Sequence, residues 1–123
     1  MKSFGLVEVS GVTAAVDCLD IMCKSANVRF VTWERKLGGR LVTVVVSGDV
    51  SAVSAAVEAA MENAIIKPVA KAVIASPHEE TLRLMKLSAS RLEKVKQTAN
   101  KVDEKPAQKP TDKPKADTKK TKK

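Results

Sequence analysis

Residues 28–46 read VRFVTWERKLGGRLVTVVV, and this stretch predicts the centre of the fold. Val28–Trp33 is β-branched or aromatic at most positions and Leu41–Val46 is largely apolar, so each segment is typical of a strand. Between them, Glu34–Arg40 is a charged loop with a glycine pair, which is typical of a hairpin turn. A continuous apolar run such as Leu41–Val46 also favours a central strand that is buried on both faces.

The flanking segments alternate between strand and helix patterns. A short β-rich run precedes apolar residues at helical spacing, for which Ser10 is the expected N-cap. Asp49 is the expected N-cap of a second helix. A last strand follows, and a third helix begins near Glu79 and frays near Gln97. This order, split β-α-β-β-α-β plus a C-terminal helix, predicts an α/β (α+β) ferredoxin-like fold, in which an antiparallel sheet carries two helices on one face.

The composition argues against several classes of protein. Of 123 residues, 44% are hydrophobic but only 2% are aromatic, which disfavours the ring platforms that stack single-stranded nucleic acid. With one histidine and two cysteines, the chain has too few ligands for a zinc site made only of His and Cys, and too few cysteines for a disulfide framework. No cofactor is expected. Cys18 and Cys23 diverge by about 140° on a helix. They are expected to be reduced thiols in a cytosolic protein, because neither a signal peptide nor a membrane-spanning run is visible.

The C-terminal segment carries most of the net charge. The formal net charge is +8, and residues 101–123 hold nine lysines against four acidic residues, which is +5 of that total. Lys-Pro pairs recur every four residues from Lys105, and both proline and dense charge oppose a packed fold. The sequence predicts a body over residues 1–98, terminal helix included, and a disordered basic tail over residues 99–123. A solvated tail is the simpler interpretation, and nonspecific binding of nucleic acid is the alternative.

Short motifs in the body carry a family resemblance. They are, in order, Gly5-Leu6-Val7-Glu8, Lys24-Ser25-Ala26-Asn27-Val28, Gly38-Gly39, Gly48-Asp49 and Pro77-His78. In these motifs the chain resembles the single-domain hexameric shell proteins of bacterial microcompartments (BMC-H type). The resemblance implies a non-catalytic homohexamer that tiles with other shell proteins into the facets of a shell, with a central pore for small metabolites. Encapsulated enzymes are a further candidate partner, and a membrane is not.

The resemblance also implies roles for particular residues. Glycine would let four loop residues approach a six-fold axis and line the pore: Leu37, Gly38, Gly39 and Arg40. Five residues would lie at the hexamer edge: Lys24, Asn27, Asp49, Ser76 and His78. Simpler roles are open for several of them, namely a hairpin turn for the loop, a helix-dipole partner for Lys24 and helix caps for Asp49 and His78.

Three departures from the family pattern lead to predictions. The loop holds one more residue than in many relatives. Arg40 stands where a third glycine is usual, so a ring of arginines would favour anionic or neutral metabolites, unless Arg40 pairs with Glu34 across the hairpin. Ser76 replaces an arginine that usually reaches across the edge, which predicts weaker or altered tiling.

Two other functions remain open from the residues alone. A ferredoxin-like fold also suits a small acylphosphatase-like enzyme in which Arg29 or Arg40 grips an anion, although glycines between two strands give a weak phosphate-binding signal. The other alternative is a nucleic-acid-binding protein driven by its basic tail, whose binding would weaken with salt. Particle mass and the formation of sheets separate a shell protein from both.

Overall fold

The structure, a computed structural model, describes residues 3–35 and 38–103, with side chains through Lys101. Its elements follow the order predicted from the sequence. They are β1 (Ser3–Ser10), α1 (Val12–Ser25), β2 (Arg29–Glu34), β3 (Leu41–Gly48), α2 (Val50–Asn63), β4 (Ala70–Ile74) and α3 (Glu79–Asp103).

The four strands form one antiparallel sheet in the order β2-β3-β1-β4. This order confirms the predicted ferredoxin-like arrangement, because β3 lies between β1 and β2, and β1 lies between β3 and β4. The apolar segment that predicted a central strand is β3, and its Val44, Val45 and Val46 are all buried. Since successive side chains point to opposite faces, burial of all three requires cover on both faces of the sheet.

The main core lies between one face of the sheet and the helices α1 and α2. The strands contribute Val7, Val9, Val42, Val44 and Val46, and the helices contribute mostly small residues, Ala14, Ala15, Cys18, Met22, Val53, Ala56, Val57 and Ala60. Gly5 permits close packing here, because a Cβ at this position would lie 2.7 Å from Cγ1 of Val53. α2 therefore lies on β1 at a separation that a larger residue than glycine would disturb.

α3 packs on the opposite face of the sheet, against β2. Its Ser88 hydroxyl lies 2.8 Å from the Thr32 hydroxyl and also hydrogen-bonds the Glu34 carboxylate. Thr32 and Ser88 are both buried, so this polar contact is shielded from water. Elsewhere on the same face the cover is uneven, because Phe4 of β1 is fully buried whereas Ala70 and Ala72 of β4 are exposed.

Two local expectations differ from the structure. The N-cap of α1 is Gly11 rather than Ser10, and Gly11 adopts a φ of 97°, where glycine is favoured. α3 continues to Asp103, beyond the predicted fraying at Gln97, because no proline interrupts the chain before Pro106. The predicted disordered tail falls mainly on residues 104–123, which lie outside the described residues, and it stays a prediction. Among the described helices, none is both long enough and apolar enough to cross a membrane.

Candidate functional site

The β2–β3 loop ends in three consecutive residues with left-handed backbone. The φ angles of Gly38, Gly39 and Arg40 are 75°, 60° and 66°. The Leu41 amide donates to the Gly38 carbonyl over 3.2 Å, which closes a turn whose two central residues both have positive φ, as type I′ hairpin turns require. A Cβ on either glycine would meet open space, so the backbone angle and not crowding within one chain favours glycine here. Leu37, the fourth predicted pore residue, lies outside the described residues.

Arg40 occupies a conformation that suits glycine better than arginine. Left-handed backbone costs a residue with a Cβ roughly 1–2 kcal/mol, which explains physically why a third glycine fits the position. The Gly11 amide holds this backbone in place by donating to the Arg40 carbonyl over 2.7 Å. Sequence reasoning missed this role of Gly11, since the contact joins residues that are distant in the chain. The Arg40 side chain is exposed.

The acidic residue beside the loop is directed away from Arg40. The Glu34 carboxylate accepts a hydrogen bond from Ser88 of α3. The Arg35 guanidinium lies over the Trp33 ring, 5.1 Å from the ring centroid, which is within cation–π range. Within the described part of the chain, Glu34 is therefore paired with α3, and the Glu34–Arg40 pair, which the sequence left open as an alternative, does not form.

The five predicted edge residues gather at the other end of the sheet. Gly48, the last residue of β3, is paired in register with Ser3, the first residue of β1. The Ser3 hydroxyl donates to the carbonyl of Ala75, just past β4, over 2.8 Å. Asn27 precedes β2 at this same end, and a Cβ on Gly48 would lie only 3.0 Å from its carbonyl oxygen. The segments that carry Lys24, Asn27, Asp49, Ser76 and His78 therefore meet at one end of the sheet.

Lys24 and Asn27 lie on the surface at the end of α1. The Lys24 ammonium lies 2.8 Å from the Asp20 carboxylate, and this hydrogen bond and charge raise the pKa of Lys24. Lys24 is in the last turn of α1, where a cation also interacts favourably with the helix dipole. With 76% of its side chain exposed, Lys24 can still reach a neighbouring molecule.

The other three predicted edge residues lie at the starts of α2 and α3. Asp49 is the N-cap of α2, as predicted, and its carbonyl accepts the Val53 amide over 2.9 Å. His78 caps α3, also as predicted, because its Nδ1 accepts the Glu80 amide over 3.1 Å. Ser76, which precedes this cap, is exposed. The His78 side chain thus caps α3, the Asp49 side chain makes no capping hydrogen bond to α2, and all three residues are exposed.

The loop and the edge residues are separated by the full length of β3. Eight residues, Leu41–Gly48, connect the two ends. At about 3.4 Å per residue, the separation is roughly 24 Å. One end of the molecule thus presents glycine backbone and an arginine, while the other presents helix ends with exposed polar side chains.

Residues 3–77 match the protein-family model described as "BMC domain", which is more than half of the chain. The chain belongs to the BMC domain family. The bacterial microcompartment shell protein PduA of Citrobacter freundii is 54% identical over 54 residues, covering 44% of this chain and 57% of that protein. A carboxysome shell protein of Hydrogenovibrio crunogenus is 40% identical over 91 residues, covering 72% of this chain and 88% of that protein.

A solved structure supports the same fold for this BMC domain. It is that of a microcompartments protein from Desulfitobacterium hafniense DCB, which superposes with a TM-score of 0.60 at 27% identity, covering 68% of this chain and 48% of that chain. The match also spans little more than half of the PduA chain. The family match ends at Pro77, so the loop and most of the edge residues lie inside the BMC domain, whereas His78 and α3 follow it.

The two cysteines of the BMC domain are not activated nucleophiles. Cys18 is fully buried in the core, and burial followed by the charge of Asp17 raises its pKa to about 11. Cys23 is exposed, and partial burial together with Asp20 raises its pKa as well. Both groups are thiols near neutral pH, which fits the structural role expected from their divergence on α1.

Proposed function

We propose that this BMC domain protein is a structural subunit of a bacterial microcompartment shell, forming homohexamers that tile with other shell proteins into facets. The family match carries the proposal, together with the placement of the loop and the edge residues at opposite ends of the sheet. A six-fold axis beside the loop puts Gly38, Gly39 and Arg40 around a central opening. The same axis puts the opposite end of the sheet at the rim, where hexamers meet.

An exposed apolar surface supports lateral assembly. Val12 and Val16 of α1 are 43% and 50% exposed, and Ile65 and Val69, between α2 and β4, are 66% and 61% exposed. The Asp17 carboxylate accepts the Ile65 amide over 2.9 Å, which holds the two segments side by side. Contiguous apolar surface of this kind is typical of a protein interface. We assign it to contact between neighbouring subunits of one hexamer.

The loop supports a pore that favours anionic or neutral polar metabolites. Six Arg40 side chains around one axis would raise the local anion concentration and repel cations. Glu34 does not form an ion pair with Arg40, because its carboxylate is directed to Ser88 of α3. Gly39, which has no side chain, lies at the narrowest point of the proposed opening.

A non-catalytic role is the companion proposal. The relatives are described as shell proteins and not as enzymes. The two arginines considered for anion binding in an acylphosphatase-like enzyme lie at opposite ends of the β2–β3 hairpin, since Arg29 begins β2 and Arg40 precedes β3. The two arginines therefore do not form one cluster, and either one would have to bind the anion without the other.

Particle mass and electron microscopy test the proposed assembly. A hexamer has a mass of about 79 kDa, six times 13.2 kDa, and the wild-type protein should form flat sheets. Lys24→Asp should leave hexamers intact and abolish sheets, because it reverses the charge at the rim. Lys96→Asp is the matched control, since Lys96 is also an exposed partner in a same-helix ion pair. Sheets of normal extent from Lys24→Asp would remove the edge assignment, and a monomeric wild type would refute the shell function.

A further inference from the structure

A groove lies between α3 and the face of the sheet opposite α1 and α2. Its volume is about 340 Å³, at the small end of the range for sites that bind small molecules. Leu6 and Val45, which are paired in register on adjacent strands, line it from the sheet, and Leu84 and Leu87 line it from α3. The two α3 leucines are 60% and 49% exposed. An apolar group in the groove would remove some of this surface from water, which is favourable.

The sheet contributes a carboxylate to the end of the groove that lies nearer the β2–β3 loop. Thr43 lies two residues before Val45 on the same face of β3, and Glu34 of β2 is its partner in register. Glu34 accepts the Ser88 hydroxyl through Oε1, and its Oε2 forms no hydrogen bond with the residues that the structure describes. The Glu34 carboxylate can therefore bind a cationic group at this end of the groove.

α3 contributes a guanidinium to the same end of the groove. α3 begins at the edge end of the sheet and reaches Glu34 at Ser88, so Arg91, almost one helical turn later, lies nearer the loop. Arg91 lines the groove, is exposed and forms no ion pair with any residue in the described parts of the chain. Two opposite charges thus line one groove without binding each other, which leaves room for a ligand between them.

We propose that the groove binds a free α-amino acid with an aliphatic side chain. An α-amino acid carries its ammonium and its carboxylate on one carbon atom, so its two charges match Glu34 and Arg91 at one end of the groove. Its side chain then extends away from the loop, between Leu6 and Val45 of the sheet and the two leucines of α3. A simple amine would leave Arg91 without a partner, and a simple carboxylic acid would leave Glu34 without one.

The other charged groups around this end of the groove agree with the proposed orientation. The Arg35 guanidinium lies over the Trp33 ring and forms no ion pair with Glu34. Glu8 flanks Thr43 on the side of β1, and its carboxylate accepts the Thr43 hydroxyl over 3.4 Å. The sheet side of this end is therefore acidic and suits the ammonium, whereas the α3 side is basic and suits the carboxylate.

Saturation-transfer NMR with the full-length protein tests the site by comparing the affinities of four small molecules. L-leucine should bind at least about tenfold more tightly than isoamylamine, which lacks the carboxylate, or isocaproate, which lacks the ammonium. Glycine, which has both charges but no side chain, should also bind more weakly than leucine. This comparison uses the unaltered protein, so it does not depend on how well a variant folds.

Substitutions at the two charged residues should act on different ligands. Glu34→Gln should weaken the binding of leucine and isoamylamine about tenfold but not that of isocaproate, and the glutamine oxygen can still accept the Ser88 hydroxyl. Arg91→Gln should weaken the binding of leucine and isocaproate but not that of isoamylamine. Glu93→Gln and Lys96→Gln are the matched controls, because these residues form an ion pair with each other and do not line the groove.

The result is independent of the proposed hexamer, because the groove lies within one chain and binding is measured whatever the mass of the particle. Tightest binding of leucine, with the two variants acting on opposite ligands, supports the site. No binding of leucine at millimolar concentration, or binding no tighter than that of isoamylamine or isocaproate, overturns it. Equal weakening by the matched controls overturns it as well.

Discussion

The close approach of α2 to β1 at Gly5 leads to a quantitative prediction. In Gly5→Ala the new methyl carbon would lie 2.7 Å from Cγ1 of Val53 and 2.9 Å from Cγ2 of Val57. Carbon atoms in contact prefer about 3.5–4.0 Å, so the neighbours must move by nearly 1 Å. Both valines are buried on a helix, where one χ1 rotamer dominates, and they cannot simply rotate away. Overpacking of this kind costs about 1–3 kcal/mol.

The unfolded state reduces this cost only in part. Replacing glycine with alanine removes backbone freedom from the unfolded chain, which returns about 0.4–1 kcal/mol. The mid-range values, about 2 and about 0.7 kcal/mol, leave a net loss in unfolding free energy of roughly 1.3 kcal/mol. Urea unfolding followed by circular dichroism at one fixed protein concentration measures it, since association contributes to apparent stability.

A second substitution separates crowding from other causes. Val53→Ala removes the methyl group that Gly5→Ala would meet, so the double variant should lose less stability than the two single variants added together. A Gly5→Ala protein as stable as the wild type, or strict additivity with Val53→Ala, would refute the claim that the Gly5 position limits the approach of α2 to the sheet.

Four further predictions test the site and its surroundings. Ser76→Arg should strengthen or change tiling, because arginine can form bidentate contacts across the edge, and unchanged sheets in electron micrographs would remove Ser76 from it. Deleting residues 104–123 should leave folding and assembly intact, and it should abolish any salt-sensitive binding of nucleic acid in a gel-shift assay. If the truncated protein is unfolded, the tail packs on the body. Gly39→Leu should block metabolite flux through intact shells, and Arg40→Glu should make the pore favour cations over anions. Unchanged flux in Gly39→Leu shells would show that metabolites do not cross through this loop. Burial raises the pKa of the Cys18 thiol from 9.0 to about 11, so as pH rises the unfolded state loses the thiol proton before the folded state does. The free energy of unfolding should therefore fall as pH rises from about 9 to 11. Cys18→Ala should lack this part of the fall.

The sequence predicts the order of elements and the central strand because both depend on local patterns. The apolar segment of β3 and the glycine pair that precedes it are neighbours in the chain, so a hairpin follows from that segment alone. The hairpin also separates Gly39 from Asp49 along one strand, whereas the pore and edge roles of these residues are implied only by the family resemblance. The caps at Asp49 and His78 are likewise local and were predicted correctly.

Contacts between distant segments could not be predicted in the same way. Ser88 meets Thr32 across 56 positions, and no periodicity in either segment indicates that α3 lies on β2. The support of Arg40 by Gly11 and the crowding around Gly5 also arise only when strands and helices pack. Serine is the better side-chain acceptor, so the sequence favours Ser10 as the cap, whereas the turn after β1 requires a φ of 97° at Gly11.

The left-handed backbone of Arg40 has a consequence for how such loops vary during evolution. The conformation fits glycine without cost, and one nucleotide change in the first codon position converts any glycine codon of the GGN type into an arginine codon. A single mutation can therefore introduce a charged side chain while the turn, its hydrogen bond to Gly11 and the strand register remain as they were. In a ring of six identical chains the same mutation is copied six times. The loop can thus gain or lose a belt of positive charge in one genetic step, at a cost in stability of roughly 1–2 kcal/mol per chain.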